Sequence, residues 1–125
     1  VNCGLFLLFD CCHSGSICDL PWSVQYVNNQ LTKTNINTNH HENPNIYAIS
    51  GSTDMQLSME NYNEFLQKKV GALTNAFLML LHTNKYNVSI EDLFIEICRY
   101  LSYNGLEQTP ILSCTSEEIT YKIKL

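Results

Sequence analysis

An unbroken apolar run, Leu5 to Phe9, ends abruptly at a polar segment, and this feature constrains the fold most strongly. The run is too short to cross a membrane, and its continuous apolarity suits a strand that is buried on both faces of a parallel sheet. Open α/β sheets bind ligands just beyond the carboxyl ends of their strands. The polar segment 10–16 occupies that place and contains two adjacent cysteines. We therefore expect the functional site there, with a cysteine as the candidate nucleophile.

The rest of the chain alternates between strand and helix patterns. Residues 45–50 and 109–114 are predicted to form two more core strands. Apolar residues at helical spacing predict a buried helix over 70–82. A second helix is predicted to begin after Ser89, because an acidic residue follows three positions later, and to stop at Asn104-Gly105. Strands interleaved with helices predict an α/β layered fold with a mainly parallel sheet.

Three segments between these elements carry weaker patterns. Residues 28–44 are rich in Asn and Thr and have few apolar side chains, so they are predicted to form a mobile loop. Residues 53–63 are predicted to form a polar loop, while 64–69 fit either a hairpin arm or a link. Residues 119–125 alternate between apolar and polar, which predicts a half-exposed strand or a tail.

Charge and cysteine placement exclude several classes of protein. A formal net charge of −5 provides no basic surface for nucleic acid or for an anionic membrane. The six cysteines lack the compact spacing of a secreted disulfide framework, which favours a reducing, cytoplasmic location. The sequence shows no signal peptide and no apolar run of membrane-spanning length, so we expect no membrane partner.

The segment 9–16, followed by Asp19-Leu20-Pro21-Trp22, resembles the nucleophile segment of the metacaspases, which are caspase-like cysteine peptidases. Three later stretches resemble further motifs of that family in the same order: 50–58, 71–77 and 108–113. The type I group is more similar, because no long insertion separates the first motif from the others. The resemblance implies the caspase-like fold, of which residues 1–125 would form the carboxyl-terminal portion. The upstream half of the same domain is then an expected partner.

The resemblance also implies roles for individual residues. Cys12 is in register with the family's nucleophile, and Asp10 with the acid that lines a pocket for a substrate Arg or Lys. A cap at the end of the strand is the alternative role for Asp10. Asp54 and Ser50 lie in the loop motif expected to border the substrate cleft, although a solvated turn explains Asp54 nearly as well. Asp19 matches an acid that belongs to a calcium site in some metacaspases.

The catalytic histidine of the family lies in an upstream His-Gly segment, and none of the four histidines here is followed by Gly. The resemblance therefore implies a cysteine endopeptidase acting on protein or peptide substrates with a basic P1 residue, whose general base lies outside this chain. No cofactor is expected for the chemistry, and calcium is a possible activator. A catalytically incomplete fragment or pseudopeptidase that acts through protein association is the alternative.

Overall fold

In the computed structural model, the described residues are 3–10, 19–38, 43–51, 60–63, 68–105 and 109–125, with side chains described outside 60–63 and 68–70. They form, in chain order, β1 (Leu5–Phe9), β2 (Trp22–Val27), β3 (Gln30–Asn35), β4 (Ile46–Ser50), β5 (Glu60–Asn63), β6 (Lys68–Gly71), α1 (Ala72–Thr83), β7 (Asn87–Ser89), α2 (Ile90–Tyr103), β8 (Ile111–Cys114) and β9 (Lys122–Lys124). The described structure combines a central sheet with two helices, which confirms the predicted α/β class.

The central sheet has the strand order β1-β4-β8-β2-β3. Strands β1 and β4 are parallel, with Leu5 opposite Ile46 and Phe9 opposite Ser50. The other three pairings are antiparallel, so the described sheet is mixed rather than mainly parallel. Strand β8 runs opposite to β4, with Ile49 opposite Leu112. Strands β2 and β3 are antiparallel because a two-residue turn connects them.

The β2–β3 hairpin corrects the prediction of a mobile loop over 28–44. Asn28 and Asn29 form its turn with φ angles of 51° and 63°. Two consecutive residues in the left-handed region characterise a type I′ turn, which matches the twist of a hairpin, and Asn tolerates that region better than most residues. Residues 36–38 and 43–44 are irregular. Residues 39–42 lie outside the described residues.

Two smaller sheets complete the described strands. Strands β5 and β6 form an antiparallel hairpin, with Glu60 opposite Gly71. The loop predicted over 53–63 is therefore wrong for 60–63, while 52–59 and 64–67 lie outside the described residues. Strand β9 pairs with β7, which confirms the strand predicted within 119–125. Strand β7 itself was not predicted, because three residues are too few to show a period.

Both predicted helices are confirmed. Helix α1 begins after Gly71 and ends at Thr83. Helix α2 begins after Ser89, whose Oγ accepts the Asp92 N–H at 3.1 Å. It ends where predicted, since Asn104 is the last capping residue and Gly105 has φ of 70°.

The core lies between the two helices and the central sheet. It buries aliphatic and aromatic side chains from both layers, notably Val24, Tyr47, Ile49, Leu73, Ala76, Leu93, Phe94, Ile97, Leu101 and Leu112. Phe6 of β1 stacks on Phe77 of α1 with ring centroids 5.6 Å apart. This contact packs the middle of α1 against the first half of β1. Within the described ranges, neither helix is long and apolar enough to cross a membrane.

Candidate active site

Asp10 lies at the edge of the sheet where the two parallel strands end. It follows Phe9, the last residue of β1, and Ser50 ends β4 directly opposite Phe9. Beyond this pair, the Gly51 N–H donates to the Phe9 carbonyl at 2.9 Å, so the chain after β4 stays beside β1. This is the edge at which an open α/β sheet presents loops to a ligand.

The Asp10 carboxylate caps helix α1. Its Oδ2 accepts the backbone N–H of Thr74, the third residue of α1, at 2.8 Å. Backbone N–H groups in the first turn of a helix have no partner within the helix, and the helix dipole favours a negative charge at that end. Asp10 therefore caps the start of α1, while its predicted roles in a substrate pocket or as a cap at the end of its strand stay predictions. Its Oδ1 is buried and has no hydrogen-bond partner among the described residues.

Gly71 makes this arrangement possible. A Cβ atom at Gly71 would lie within 2.6 Å of all three atoms of the Asp10 carboxyl group, closer than real Cβ contacts. Its φ and ψ of −58° and 146° are open to any residue. The need for Gly is therefore steric: the Asp10 carboxylate occupies the space of a side chain. A Gly before a helix contributes no capping side chain, so the sequence is compatible with a cap from another element but does not identify Asp10.

Ser50 contributes a hydroxyl to the same edge, although its side chain is buried. Its Oγ donates to the carbonyl of Ile111 at 3.3 Å. The hydroxyl thus supports the pairing of β4 with β8 beside the site. Its predicted contact with substrate stays a prediction.

Comparison with known proteins shows that residues 4–121 match the model of the caspase domain. The chain belongs to the caspase domain family. It is 30% identical to metacaspase-5 of Trypanosoma cruzi (strain CL Brener) over 125 residues, which cover 92% of this chain and 28% of that protein. It is also 30% identical to metacaspase-5 of Trypanosoma brucei brucei over 126 residues, covering 92% of this chain and 25% of that protein. The chain thus spans about a quarter of the length of these curated relatives.

The predicted nucleophile of this caspase-domain chain, Cys12, lies outside the described residues, as does Asp54. Both assignments therefore stay predictions from the resemblance. The described residues fix the two ends between which the cysteine segment lies, Asp10 at the end of β1 and Asp19 shortly before β2.

His82 is the histidine that the described residues contain, and it lies at the wrong end of α1 to serve as general base. Its side chain is exposed, and Nδ1 is 3.3 Å from the Tyr86 hydroxyl. Asp10 contacts the first turn of the same helix. At a rise of about 1.5 Å per residue, the backbones of Ala72 and His82 are roughly 15 Å apart. The described part of this caspase domain therefore brings no imidazole to the candidate site.

Asp19 accepts a hydrogen bond at a different place. Its Oδ1 accepts the Asn37 side-chain N–H at 3.0 Å, which links the segment before β2 to the segment after β3. Calcium prefers six or more oxygen ligands, including several carboxylates. Over the described ranges, no three side chains of His, Cys, Asp or Glu converge into a group that could hold a metal ion. Asp19 and its described surroundings alone do not fit a calcium site.

Three described cysteines, Cys3, Cys98 and Cys114, carry free thiols. Burial raises the pKa of the Cys98 thiol to about 12. Burial also raises the pKa of Cys114, to about 11, although the positive charge of Lys33 opposes part of that shift. A nucleophilic cysteine needs a lowered pKa, so Cys98 and Cys114 are structural thiols. Neither Cys98 nor Cys114 is therefore a candidate nucleophile.

Proposed function

We propose that this chain carries the nucleophile and the specificity acid of a cysteine endopeptidase that cleaves after Arg or Lys. Cys12 attacks the peptide carbonyl as a thiolate, which forms an acyl-enzyme and releases the amine product. Water then hydrolyses the acyl-enzyme. The general-base histidine and the amino-terminal half of the domain are supplied from outside these residues. The free thiols of the described cysteines support a reducing location such as the cytoplasm.

The position of Asp10 is the observation that carries this proposal. Its carboxylate lies at the shared carboxyl edge of β1 and β4, two residues before Cys12 in the sequence, and its Oδ1 keeps an unused acceptor. An ionised carboxylate forms charge-assisted hydrogen bonds with a guanidinium or an ammonium group. The caspase-domain match and the likeness to two metacaspases support the same chemistry.

A catalytically incomplete domain that acts by association is the second candidate. The position of His82, at the far end of α1 from Asp10, favours it. A general base from elsewhere in the native protein would decide in favour of the enzyme.

Cleavage of fluorogenic peptides ending in Arg or Lys by the full-length native protein, with and without calcium, tests the proposal. Cys12→Ala should abolish cleavage, whereas Cys3→Ala, which removes an exposed thiol, should leave the rate unchanged. An Asp-ended peptide should not be cleaved. Calcium-dependent activity would support an activator site completed by residues beyond those described.

Asp10→Asn separates the two roles of Asp10. The amide oxygen of Asn can still accept the Thr74 N–H, so the cap on α1 is retained, but the negative charge is lost. We expect kcat/KM for basic peptides to fall roughly 10- to 100-fold, as for the loss of a charge-assisted hydrogen bond. Folded wild-type protein that cleaves no peptide would favour the association role instead.

A further inference from the structure

We propose that Gly71 is a specificity-positioning residue: its missing side chain lets the amino end of α1 hold the Asp10 carboxylate in the orientation that receives a basic P1 side chain. The proposal rests on the proposed function, because it assumes that Asp10 recognises Arg or Lys. It deepens that function by assigning a role to a residue on another element. Gly71 ends β6 and directly precedes α1.

The first step is that the carboxyl end of β1 lies very close to the start of α1. A Cβ on Gly71 would fall within 2.6 Å of Oδ1, Oδ2 and Cγ of Asp10. Any side chain at position 71 would therefore displace the carboxylate or the helix start. Because Ala72 and Leu73, the first two residues of α1, are fully buried in the core, the helix start has little freedom to move, and the carboxylate is the group that yields.

The second step is that the two oxygens of the Asp10 carboxylate differ in their hydrogen bonding. Oδ2 accepts the Thr74 N–H at 2.8 Å, which fixes the plane and the rotation of the group. Oδ1 is buried without a partner among the described residues, and an unpartnered buried carboxylate oxygen is unfavourable. A substrate cation that reaches Oδ1 would remove this penalty. The fixed Oδ2 thus directs the free Oδ1 towards its ligand.

The third step is that the neighbouring polar groups cannot replace this support. The Ser50 hydroxyl already donates to the Ile111 carbonyl. Helix α1 has no capping side chain of its own at Gly71 and no acidic residue in its first turn. Asp10 is therefore the group from outside the helix that caps α1 in the described structure, and Gly71 gives it access.

The test compares Gly71→Ala with Ser89→Ala in the full-length native protein. Ser89 caps α2 through the N–H of Asp92, in the same helix position as the Thr74 N–H that Asp10 caps, and it lies outside the proposed site. Gly71→Ala should raise KM for Arg- and Lys-ended peptides and lower kcat/KM roughly 10- to 100-fold, because positioning of a charge-assisted contact is lost. Ser89→Ala should leave both constants within about 2-fold at a temperature where it is folded.

The rate at which iodoacetamide alkylates Cys12 is a readout that does not depend on the P1 pocket. Its rate should be the same in wild type and in Gly71→Ala, since the substitution acts on Asp10 rather than on the thiol. A Gly71→Ala protein with unchanged KM and kcat/KM would overturn the positioning role while leaving the peptidase intact. Equal losses in alkylation and in peptide cleavage would overturn it too, because they would indicate general damage. Wild-type protein inactive on basic peptides would instead remove the proposed function, and the specificity role with it.

A second variant keeps the test valid if Gly71→Ala folds poorly. Asp10→Ala empties the space that a Cβ at position 71 would enter, so Gly71→Ala should lower the Tm in the wild-type background and hardly change it in the Asp10→Ala background. Equal lowering of the Tm in both backgrounds would show that Gly71 and Asp10 are not coupled, and would overturn the proposal.

Discussion

Burial raises the pKa of Cys98 to about 12 and that of Cys114 to about 11, whereas the Cys3 side chain is exposed. At pH 8 the thiolate fractions of the two raised thiols are therefore roughly 10⁻⁴ and 10⁻³. We expect iodoacetamide to label Cys3 in the folded protein well before Cys98 and Cys114, as followed by peptide mass spectrometry. In urea the three rates should converge. Early labelling of Cys98 in folded protein would contradict the burial described here.

The same pKa values determine how stability changes at high pH. The Cys98 thiol has a pKa near 9.0 when exposed in the unfolded chain and about 12 when folded. The folded state therefore binds the proton more tightly, so this stabilisation is complete below pH 9 and is lost as the pH rises towards 12. We expect the free energy of unfolding to fall over this window, and to fall less steeply in Cys98→Ala. Parallel curves for the two proteins would contradict this prediction.

Tyr47 carries a different residue-scale prediction. Its side chain is 1% exposed, and its hydroxyl has no hydrogen-bond partner among the described residues. Tyr47→Phe removes an unsatisfied buried group, so we expect the free energy of unfolding to stay constant or rise by up to about 1 kcal/mol. Tyr100→Phe is the control, since the Tyr100 hydroxyl accepts from Asn75 and donates to Met79, both at 3.4 Å. It should destabilise, and urea unfolding compares the two.

The β2–β3 hairpin supplies the prediction at the scale of elements. Asn29 has φ of 63° in the turn, where Gly is free of steric penalty and a β-branched residue is strained. Asn29→Gly should therefore stabilise the protein slightly, and Asn29→Val should destabilise it by about 1–2 kcal/mol. Thr34→Val, an exposed position within β3, is the control and should change stability by less than about 0.5 kcal/mol. Equal effects of the two Val substitutions on the urea midpoint would show that the turn conformation is not the cause.

This hairpin was a part of the fold that the sequence predicted wrongly. Helices α1 and α2 were predictable because their apolar periods are long and Ser89 marks a capped start. Strand β3 was not, because its exposed polar side chains resemble a disordered segment by composition. The Asn28-Asn29 pair was the local signal for a type I′ turn. The composition of the segment predicted a loop, but the turn at Asn28 and Asn29 makes it part of a hairpin.

One part of the candidate site could likewise be predicted from the sequence, and another part could not. The position of Asp10 at a strand end followed from the apolar run that precedes it, because an abrupt change of polarity marked the end of the strand, although β1 is half-buried rather than buried on both faces. Its contact with Thr74 did not, since it depends on how α1 packs on the sheet, which brings together residues far apart in sequence. No local pattern encodes such a contact, although the Gly at position 71 was compatible with it.

At the scale of the whole molecule, β1 is an edge strand of the described sheet. It pairs with β4 on one side, and none of the described strands pairs with its other side. Leu5 in this strand is 47% exposed. An apolar strand edge with unpaired backbone groups is a template for association with a further strand. We therefore expect the 125-residue chain, prepared alone, to self-associate in proportion to its concentration.

Sedimentation of the wild-type chain, Leu5→Lys and Leu125→Lys at matched concentrations tests this expectation. Leu125 is 84% exposed, more than Leu5, but it lies beyond β9 and away from the central sheet. A charge on the β1 edge should disfavour strand pairing, so Leu5→Lys should shift the population towards monomer while Leu125→Lys behaves as wild type. Equal shifts in both variants would indicate that general apolar exposure drives association. A wild-type chain that stays monomeric at every concentration would show that the β1 edge does not pair.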